Sequence, residues 1–159
     1  SGDIVFAPVL MEELLPSVAE TMHAKAEEKQ VALAYDAGFE LLDGDRDLLQ
    51  SLLVNLTDNA IKACAPGDKV NLKAFMQDGN KVIAVEDNGR GMTGEQIVHI
   101  TEAFYRVDKG RSRAEGGVGL GLSICEQIAA CHGARLSFVS QLGKGTTATI
   151  TFYNSLTSR

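Results

Sequence analysis

Residues 52–62 read Leu52-Leu53-Val54-Asn55-Leu56-Thr57-Asp58-Asn59-Ala60-Ile61-Lys62, and this stretch predicts a helix with two unlike faces. One face is apolar at helical spacing and should be buried, and its members are Leu49, Leu52, Leu53, Leu56, Ala60 and Ile61. Asn55, Asn59 and Lys62 are spaced four and three residues apart and share the other face. Amide oxygens can ligate Mg²⁺, and an ammonium group can meet a phosphate oxygen. The stretch therefore indicates either a metal–phosphate site or an ordinary solvated face.

A second candidate site follows a predicted strand in Val85-Glu86-Asp87-Asn88-Gly89-Arg90-Gly91-Met92. The carboxylate of Asp87 at the strand end can accept a hydrogen bond from an exocyclic amino group such as that of adenine. Gly89 and Gly91 let the backbone approach a planar ligand closely, because glycine carries no Cβ. The alternative is an ordinary Asp-Asn-Gly turn, which is frequent in proteins.

A third candidate is the glycine-rich run Gly116-Gly117-Val118-Gly119-Leu120-Gly121-Leu122, which leads directly into a predicted helix. Such a junction presents free backbone N–H groups and the positive end of the helix dipole to an anion. It is not a P-loop, because no Lys-Ser or Lys-Thr follows, and it is not a Rossmann fingerprint, because Leu122 stands at the third glycine position. A basic cluster just before the run favours a phosphate ligand, and it consists of Arg106, Lys109, Arg111 and Arg113.

The rest of the chain predicts helices and hairpins around these three motifs. One helix carries an apolar face of Leu10, Leu14, Val18, Met22 and Ala26, and a second helix follows Asp45. Thr93 and Gln96 have capping-box spacing and open a short helix to about Ala103. A loop is predicted at 105–117, a helix at about 120–131, strands at 31–35, 70–76, 82–86, 136–139 and 146–152, and hairpin turns at Asp78-Gly79-Asn80 and Gly143-Lys144-Gly145. This order predicts an α/β two-layer sandwich, in which a mixed, mainly antiparallel sheet carries helices on one face.

The composition is that of an ordinary globular domain. The 159 residues fit a single domain, 1–159, with 45% apolar and 23% charged residues. A net charge of −6 argues against nucleic acid as a partner, since phosphate backbones attract clustered Lys and Arg. No apolar run reaches the ~20 residues of a transmembrane helix, so any membrane tether is expected outside this piece. Cys64, Cys125 and Cys131 form no C-x-x-C pair and are expected to be core thiols in a reducing cytoplasm.

The three motifs, in this order and spacing, resemble the histidine-kinase branch of the GHKL ATPases over almost the whole chain. The stretch from Asn55 to Lys62 is similar to the N box, Asp87-x-Gly89-x-Gly91 to the G1 box, and Phe104-Tyr105-Arg106 to the F box. Gly117-x-Gly119-x-Gly121-Leu122 is similar to the G2 box, and Gly145-Thr146 to the short glycine–threonine motif near the end. The resemblance implies a Bergerat ATP-binding fold that holds Mg·ATP under a flexible lid.

The resemblance also implies a role for each matching residue. Asp87 would recognise the adenine amino group, and Asn59 with Asn55 would serve Mg²⁺ and the phosphates. Residues 105–117 would form the lid, and Tyr105 and Arg106 would help Lys62 to place the phosphate chain. The nucleotide-binding set implied in this way is Asn55, Asn59, Lys62, Asp87, Gly89, Gly91, Tyr105, Arg106, Gly117, Gly119, Leu120, Gly121, Leu122 and Thr146, with Asn59 and Asn55 at the metal.

The partners implied by the resemblance lie on other domains. The family's phosphorylated histidine sits on a separate helical dimerisation domain, followed by an acidic residue and a nearby proline. His23, His99 and His132 lack that pattern, so we interpret them as structural or surface residues and expect no phosphoacceptor, hence no catalytic residue, in this chain. The expected partners are the protein's own dimerisation domain and a response regulator downstream of the full protein. The piece itself is expected to be cytoplasmic and monomeric.

The sequence alone leaves three other functions as alternatives. GHKL hydrolases, such as the topoisomerase, mismatch-repair and heat-shock chaperone ATPases, carry a Glu four residues before the metal Asn to activate water. Asn55 occupies that position here, and an amide is a very poor general base. The same position disfavours a serine kinase that phosphorylates an anti-anti-sigma protein. A non-catalytic nucleotide-binding module is disfavoured by the complete set of boxes, but only a phosphotransfer assay can exclude it.

Overall fold

A computed structural model describes residues 3–106 and 118–154, without the side chains of residues 101–106 and 118–120. The strands are β1 (Ala7–Leu10), β2 (Ala32–Ala37), β3 (Leu41–Gly44), β4 (Lys69–Gln77), β5 (Asn80–Asp87), β6 (Ala134–Gln141) and β7 (Gly145–Phe152). The helices are α1 (Met11–Glu28), α2 (Arg46–Ala63), α3 (Gly94–Arg106) and α4 (Val118–Cys131).

The main sheet has five strands in the order β2-β4-β5-β7-β6. The β4–β5, β5–β7 and β6–β7 pairs are antiparallel, whereas β2 and β4 are parallel. The parallel pair arises because the chain returns from β2 to β4 through α2, and a helical crossover brings the second strand in with the same direction. The predicted mixed, mainly antiparallel sheet is confirmed.

The helices cover one face of this sheet and form a single core with it. Leu49, Leu52 and Leu53 of α2 are fully buried, and α2 packs against α1, α4 and β5. The opposite face carries polar side chains, including a Lys73–Glu86 ion pair of 2.8 Å between Nζ and Oε1. The predicted α/β two-layer sandwich is therefore confirmed, and the amphipathic stretch 52–62 forms its central helix.

The local signals for helix starts and turns act as the sequence predicts. Leu48 N donates to Asp45 Oδ1 at 3.1 Å, which caps α2. Thr93 and Gln96 form the reciprocal capping box, with bonds of 2.9 and 3.1 Å between backbone N–H and side-chain oxygen. The β4–β5 hairpin turns through Asp78 and Gly79, which both adopt positive φ values of 54° and 80°.

Two parts of the fold differ from the predicted elements. Strands β1 and β3 pair antiparallel in a small second sheet that the sequence did not predict, with Ala7 opposite Gly44. Leu10, predicted on the apolar face of the first helix, therefore ends β1, and α1 begins at Met11. Each strand has only four residues, too few for a clear alternation of apolar and polar positions. Tyr105 and Arg106, expected at the start of a loop, belong to the last turn of α3, because the capped helix continues past Ala103. The remainder of the predicted lid, 107–117, lies outside the described residues.

The prediction of three core thiols is wrong for Cys131. Cys64 and Cys125 are buried, and burial raises the pKa of these thiols to about 11 and about 12, respectively. Cys131 is exposed, because the helical periodicity that buries Cys125 and Ile128 turns the last residue of α4 away from the core. In the described parts of the chain, no helix combines the length and the apolar character that a membrane crossing requires.

Candidate functional site

An apolar cavity of about 160 Å³ lies between α2, the loop that follows β5, and the inner face of β7. Its polar lining residues are Asn59, Lys62, Asp87, Arg90 and Thr146. The other lining residues are Leu56, Ala60, Ala63, Val85, Gly91, Met92, Ile100, Leu122, Phe138 and Ala148. A planar, largely apolar ligand with a few polar edges fits such a lining.

Asp87 is the polar centre of this cavity. Its side chain is only 7% exposed, and Oδ1 accepts backbone N–H bonds from Gly89 at 2.8 Å and from Thr146 at 3.3 Å. Burial raises the pKa of Asp87, although these two hydrogen bonds act in the opposite direction. Both side-chain hydrogen bonds found within the described residues end on Oδ1, so Oδ2 is available to accept a hydrogen bond from a ligand donor.

The two glycines after Asp87 are required by close packing of the loop. A Cβ at Gly89 would collide with the carbonyl of Ala63 at the end of α2, and one at Gly91 would collide with the carbonyl of Gln141. Gly91 also has φ 67°, a conformation that side-chain-bearing residues rarely adopt. The loop is thus held between α2 and the β6–β7 hairpin, and this position makes it one wall of the cavity.

Only part of the polar face of α2 lines the cavity. Asn59 and Lys62, which the sequence places on one helix face, both line the cavity. Asn55 does not: its Nδ2 donates to Ser51 O at 2.8 Å, and its Oδ1 lies 3.7 Å from the position of a Cβ on Gly121. Asn55 therefore faces the first turns of α4, one helical turn beyond Asn59.

Lys62 is held beside the cavity by an ion pair on its own helix. Asp58 Oδ2 lies 3.0 Å from Lys62 Nζ, and Asp58 Oδ1 lies 3.0 Å from Lys25 Nζ of α1. Partial burial raises the pKa of Asp58, but the hydrogen bonds from the two lysines outweigh burial and lower it overall. The Lys62 side chain is 59% exposed, so its ammonium group can move to an incoming anion at little cost.

Several predicted site residues cannot be placed beyond their backbone. Tyr105 and Arg106 end α3, and Gly119 and Leu120 stand in the first turn of α4, without described side chains. Gly117 lies outside the described residues. Of the remaining G2 positions, Leu122 is 2% exposed and lines the cavity, and Gly121 lies next to Asn55.

Sequence reasoning missed two residues that shape the site. Arg90 donates from Nη1 to Lys62 O at 3.3 Å and from its backbone N to Ala63 O at 3.0 Å, which fastens the loop to the end of α2. Ser140 accepts from Met92 N at 2.8 Å on the other side of the loop. A signal for Ser140 was present, because it interrupts the alternating inward positions of β6 after Leu136 and Phe138. The signal for Arg90 was only its position between the two glycines.

Comparison with known proteins agrees with this geometry. The family described as histidine kinase-, DNA gyrase B-, and HSP90-like ATPase matches residues 44–155. The sensor-like histidine kinase SenX3 of Mycolicibacterium smegmatis is 40% identical over 127 residues, which cover 79% of this chain and 33% of that protein. The sensor histidine kinase YkoH of Bacillus subtilis is 39% identical over 125 residues, which cover 79% of this chain and 27% of that protein. The chain thus spans about a third of the length of these curated relatives or less.

Solved structures share the fold. Full-length ShkA in complex with AMPPNP matches 94% of this chain with a TM-score of 0.79 and 30% identity, over 31% of that chain. The catalytic domain of the histidine kinase ThkA matches 98% of this chain and 99% of its own length, with a TM-score of 0.77. At 21% identity, the second likeness concerns the fold alone. The predicted resemblance to histidine kinases and the predicted Bergerat-type sandwich are confirmed.

Proposed function

We propose that this chain, which belongs to the family of histidine kinase-, DNA gyrase B-, and HSP90-like ATPases, is the ATP-binding catalytic domain of a sensor histidine kinase. It would hold Mg·ATP in the cavity beside Asp87 and present the γ-phosphate to a histidine on a separate dimerisation domain. The observation that carries the proposal is the buried carboxylate of Asp87 in the lining of a mainly apolar cavity, where Oδ2 accepts no hydrogen bond from the described residues. An exocyclic amino group of adenine is the kind of donor that such an acceptor needs.

The layout of α2 supports a phosphate site next to the base site. Asn59 and Lys62 stand in the cavity wall, and Asn55 lies one turn further toward α4. The first turn of α4 offers backbone N–H groups and a positive dipole end, which favour an anion. We therefore place the base at Asp87 and direct the phosphate chain toward Asn55 and α4.

Magnesium fits the residues present. The amide of Asn55 directs Nδ2 to Ser51 O, which leaves Oδ1 as a neutral oxygen donor, and Asn59 is a second amide. Mg²⁺ prefers oxygen ligands, keeps several waters, and is usually held by few protein groups together with substrate phosphates. When bound, it neutralises negative charge on the phosphates. We propose Asn59 and Asn55 as its protein ligands.

The chemical step proposed is phosphoryl transfer to an imidazole. The bond between the γ-phosphorus and the bridging oxygen breaks, a bond between phosphorus and a ring nitrogen forms, and ADP leaves with the bonding electrons. Lys62 meets phosphate oxygen charge, and the cavity holds the base so that the γ-phosphate is in line with the nucleophile. The contribution of this chain is therefore positioning and charge neutralisation.

Hydrolysis of ATP is the second candidate within the family, and Asn55 disfavours it. The side chain at this position is an amide whose nitrogen is engaged with its own helix, so it cannot remove a proton from water. The same argument disfavours a serine kinase with a glutamate at this position. Kinase activity in the whole protein, its dimerisation domain, its response regulator and a cytoplasmic location remain proposals that follow from the family.

Calorimetry with Mg·ATP tests the base site. Replacing Asp87 with Ala removes a charged hydrogen-bond acceptor, which typically costs about 1.5–3 kcal/mol, or roughly tenfold to a hundredfold in affinity. Asp43→Ala is a matched control, because Asp43 is an exposed aspartate on β3 outside the cavity lining. We expect the loss in Asp87→Ala alone. Wild-type affinity in that variant would refute the assignment of the cavity to adenine.

A further inference from the structure

A chain of hydroxyl groups connects the G1 loop to the wall of the cavity. Ser140 Oγ lies 2.8 Å from Met92 N, 3.1 Å from Gly145 O and 2.7 Å from Thr146 Oγ1. Thr146 in turn lines the cavity beside Asp87 and donates its backbone N–H to Asp87 Oδ1. Register explains the proximity, since Thr146 pairs with Asp87 on one side and with Ser140 on the other.

The contacts of Ser140 determine the direction of each hydrogen bond. The Met92 N–H can only donate and the Gly145 carbonyl can only accept, so Ser140 Oγ accepts from the first and donates its single proton to the second. The contact with Thr146 is then a hydrogen bond only if Thr146 is the donor. With its proton committed to Ser140, Thr146 Oγ1 offers lone pairs alone to a ligand in the cavity.

We propose that Ser140 is a positioning residue for base selectivity. By accepting the hydrogen bond that the Thr146 hydroxyl donates, it makes the edge of the cavity beside Asp87 an acceptor-only edge. A 6-amino purine presents two N–H donors to that edge, whereas a 6-oxo purine would bring an oxygen lone pair against other lone pairs. The proposal rests on the proposed nucleotide-binding function and adds how the pocket distinguishes adenine from a 6-oxo base.

The test compares Mg·ATP with Mg·ITP, which differ in the 6-substituent of the purine and the proton on N1. Calorimetry measures the dissociation constant of Mg·ITP divided by that of Mg·ATP for the wild type, Ser140→Ala and Ser140→Thr, so a larger ratio means a stronger preference for ATP. In Ser140→Ala the Thr146 hydroxyl is free to rotate and donate to the 6-oxo group, so the preference for ATP should fall roughly tenfold. Ser140→Thr keeps a hydroxyl group and should retain the preference.

Ser137→Ala is the matched control, because Ser137 is an exposed serine on the opposite face of the same strand. An equal loss of affinity for both nucleotides in Ser140→Ala, or an unchanged ratio, would overturn the proposal. If circular dichroism shows that Ser140→Ala does not fold, Thr146→Val removes the acceptor edge directly and should lower the ratio as well. An unchanged ratio in Thr146→Val would also contradict the proposal. Failure of the wild type to bind ATP would instead refute the proposed function.

Discussion

At the scale of single residues, the buried carboxylate of Asp87 links ligand recognition to a cost in stability. Burial raises the pKa of Asp87 above its ordinary 3.8, which means that the folded state disfavours the charged form. The sign follows directly: this group costs no stability below the pKa of the unfolded chain, and the cost develops as pH rises through the folded pKa. At neutral pH the ligand-free protein therefore carries a charged group that it would fold better without.

Replacing Asp87 with Asn should separate its role in ligand binding from its cost in stability. The Asn side-chain oxygen can still accept the N–H bonds of Gly89 and Thr146, while the charge disappears. We expect a higher melting temperature than wild type at pH 7, by a few degrees at roughly 2–4 °C per kcal/mol, together with weaker Mg·ATP binding. The gain should vanish below the ordinary pKa of 3.8, where the wild-type carboxyl is protonated in the folded and the unfolded states. Thermal unfolding followed across this pH range measures it, and a lower melting temperature at pH 7 would contradict the argument.

A second single-residue prediction concerns Asn59, whose expected effect on ATP binding depends on magnesium. If its amide oxygen is a metal ligand, Asn59→Ala should weaken ATP binding chiefly when Mg²⁺ is present. Titrations with magnesium and with a chelator use the same variant as its own control. An identical loss under both conditions would assign Asn59 to packing against the base, since it lines the cavity in any case.

At the scale of elements, His132 joins three parts of the fold that lie far apart in sequence. Its Nε2 accepts the Asp45 N–H at 3.0 Å, so its proton stands on Nδ1 and is donated to Ile128 O at 2.8 Å. The ring stacks on Phe6 with 4.9 Å between centroids. The end of α4, the start of α2 and the segment before β1 are therefore tied together by one neutral imidazole.

Removing this imidazole should lower stability without changing the nucleotide site. His132→Ala loses two hydrogen bonds and an aromatic stack, which together contribute about 2–3 kcal/mol, so the melting temperature should fall by several degrees. Mg·ATP affinity should stay within about twofold, because His132 does not line the cavity. His23→Ala is the control, since that histidine is exposed on α1 and faces Glu27 at 3.7 Å. Equal effects of the two substitutions would contradict the structural role.

Elements were predictable from the sequence where a local signal specifies them. The two faces of α2, the Thr93–Gln96 capping box and the Asp78-Gly79 turn depend on residues within one or two helical turns or one hairpin. The β1–β3 pair depends on contacts more than 30 residues apart, such as Ala7 with Gly44. A strand of four residues is too short for its alternation of apolar and polar positions to predict this pairing.

Some of the residues that the sequence proposes for the site line the cavity. Asp87, Asn59 and Lys62 were proposed because motif spacing places charged and amide groups on one helix face or at a strand end, and all three line the cavity. The wrong expectation for Cys131 and the missed roles of Arg90 and Ser140 share one cause. Each depends on which side chains the tertiary fold brings near, and neither periodicity nor composition contains that information.

At the scale of the whole molecule, the proposed site and the three histidines lie in different places among the described residues. The proposed base site lies in the cavity beside Asp87, and the proposed phosphate end lies toward Asn55 and the first turn of α4. None of the three histidines stands in the cavity lining: His23 and His99 are exposed on other helices, and His132 is committed to Asp45 and Ile128. This agrees with the proposal that the histidine receiving the γ-phosphate belongs to a separate domain.

This arrangement predicts that the 159-residue chain binds ATP yet neither labels itself nor hydrolyses ATP efficiently. Incubation with γ-labelled ATP should leave it unlabelled, and addition of the cognate dimerisation domain as a separate protein should label a histidine of that domain. The rate should be low, because separation forfeits the effective concentration that a linker provides. The product should be acid-labile and base-stable, as expected of phosphohistidine rather than phosphoserine. Strong self-labelling would make His23, His99 or His132 an acceptor, and fast hydrolysis abolished by Asn55→Ala would place the chain among the hydrolases of its family.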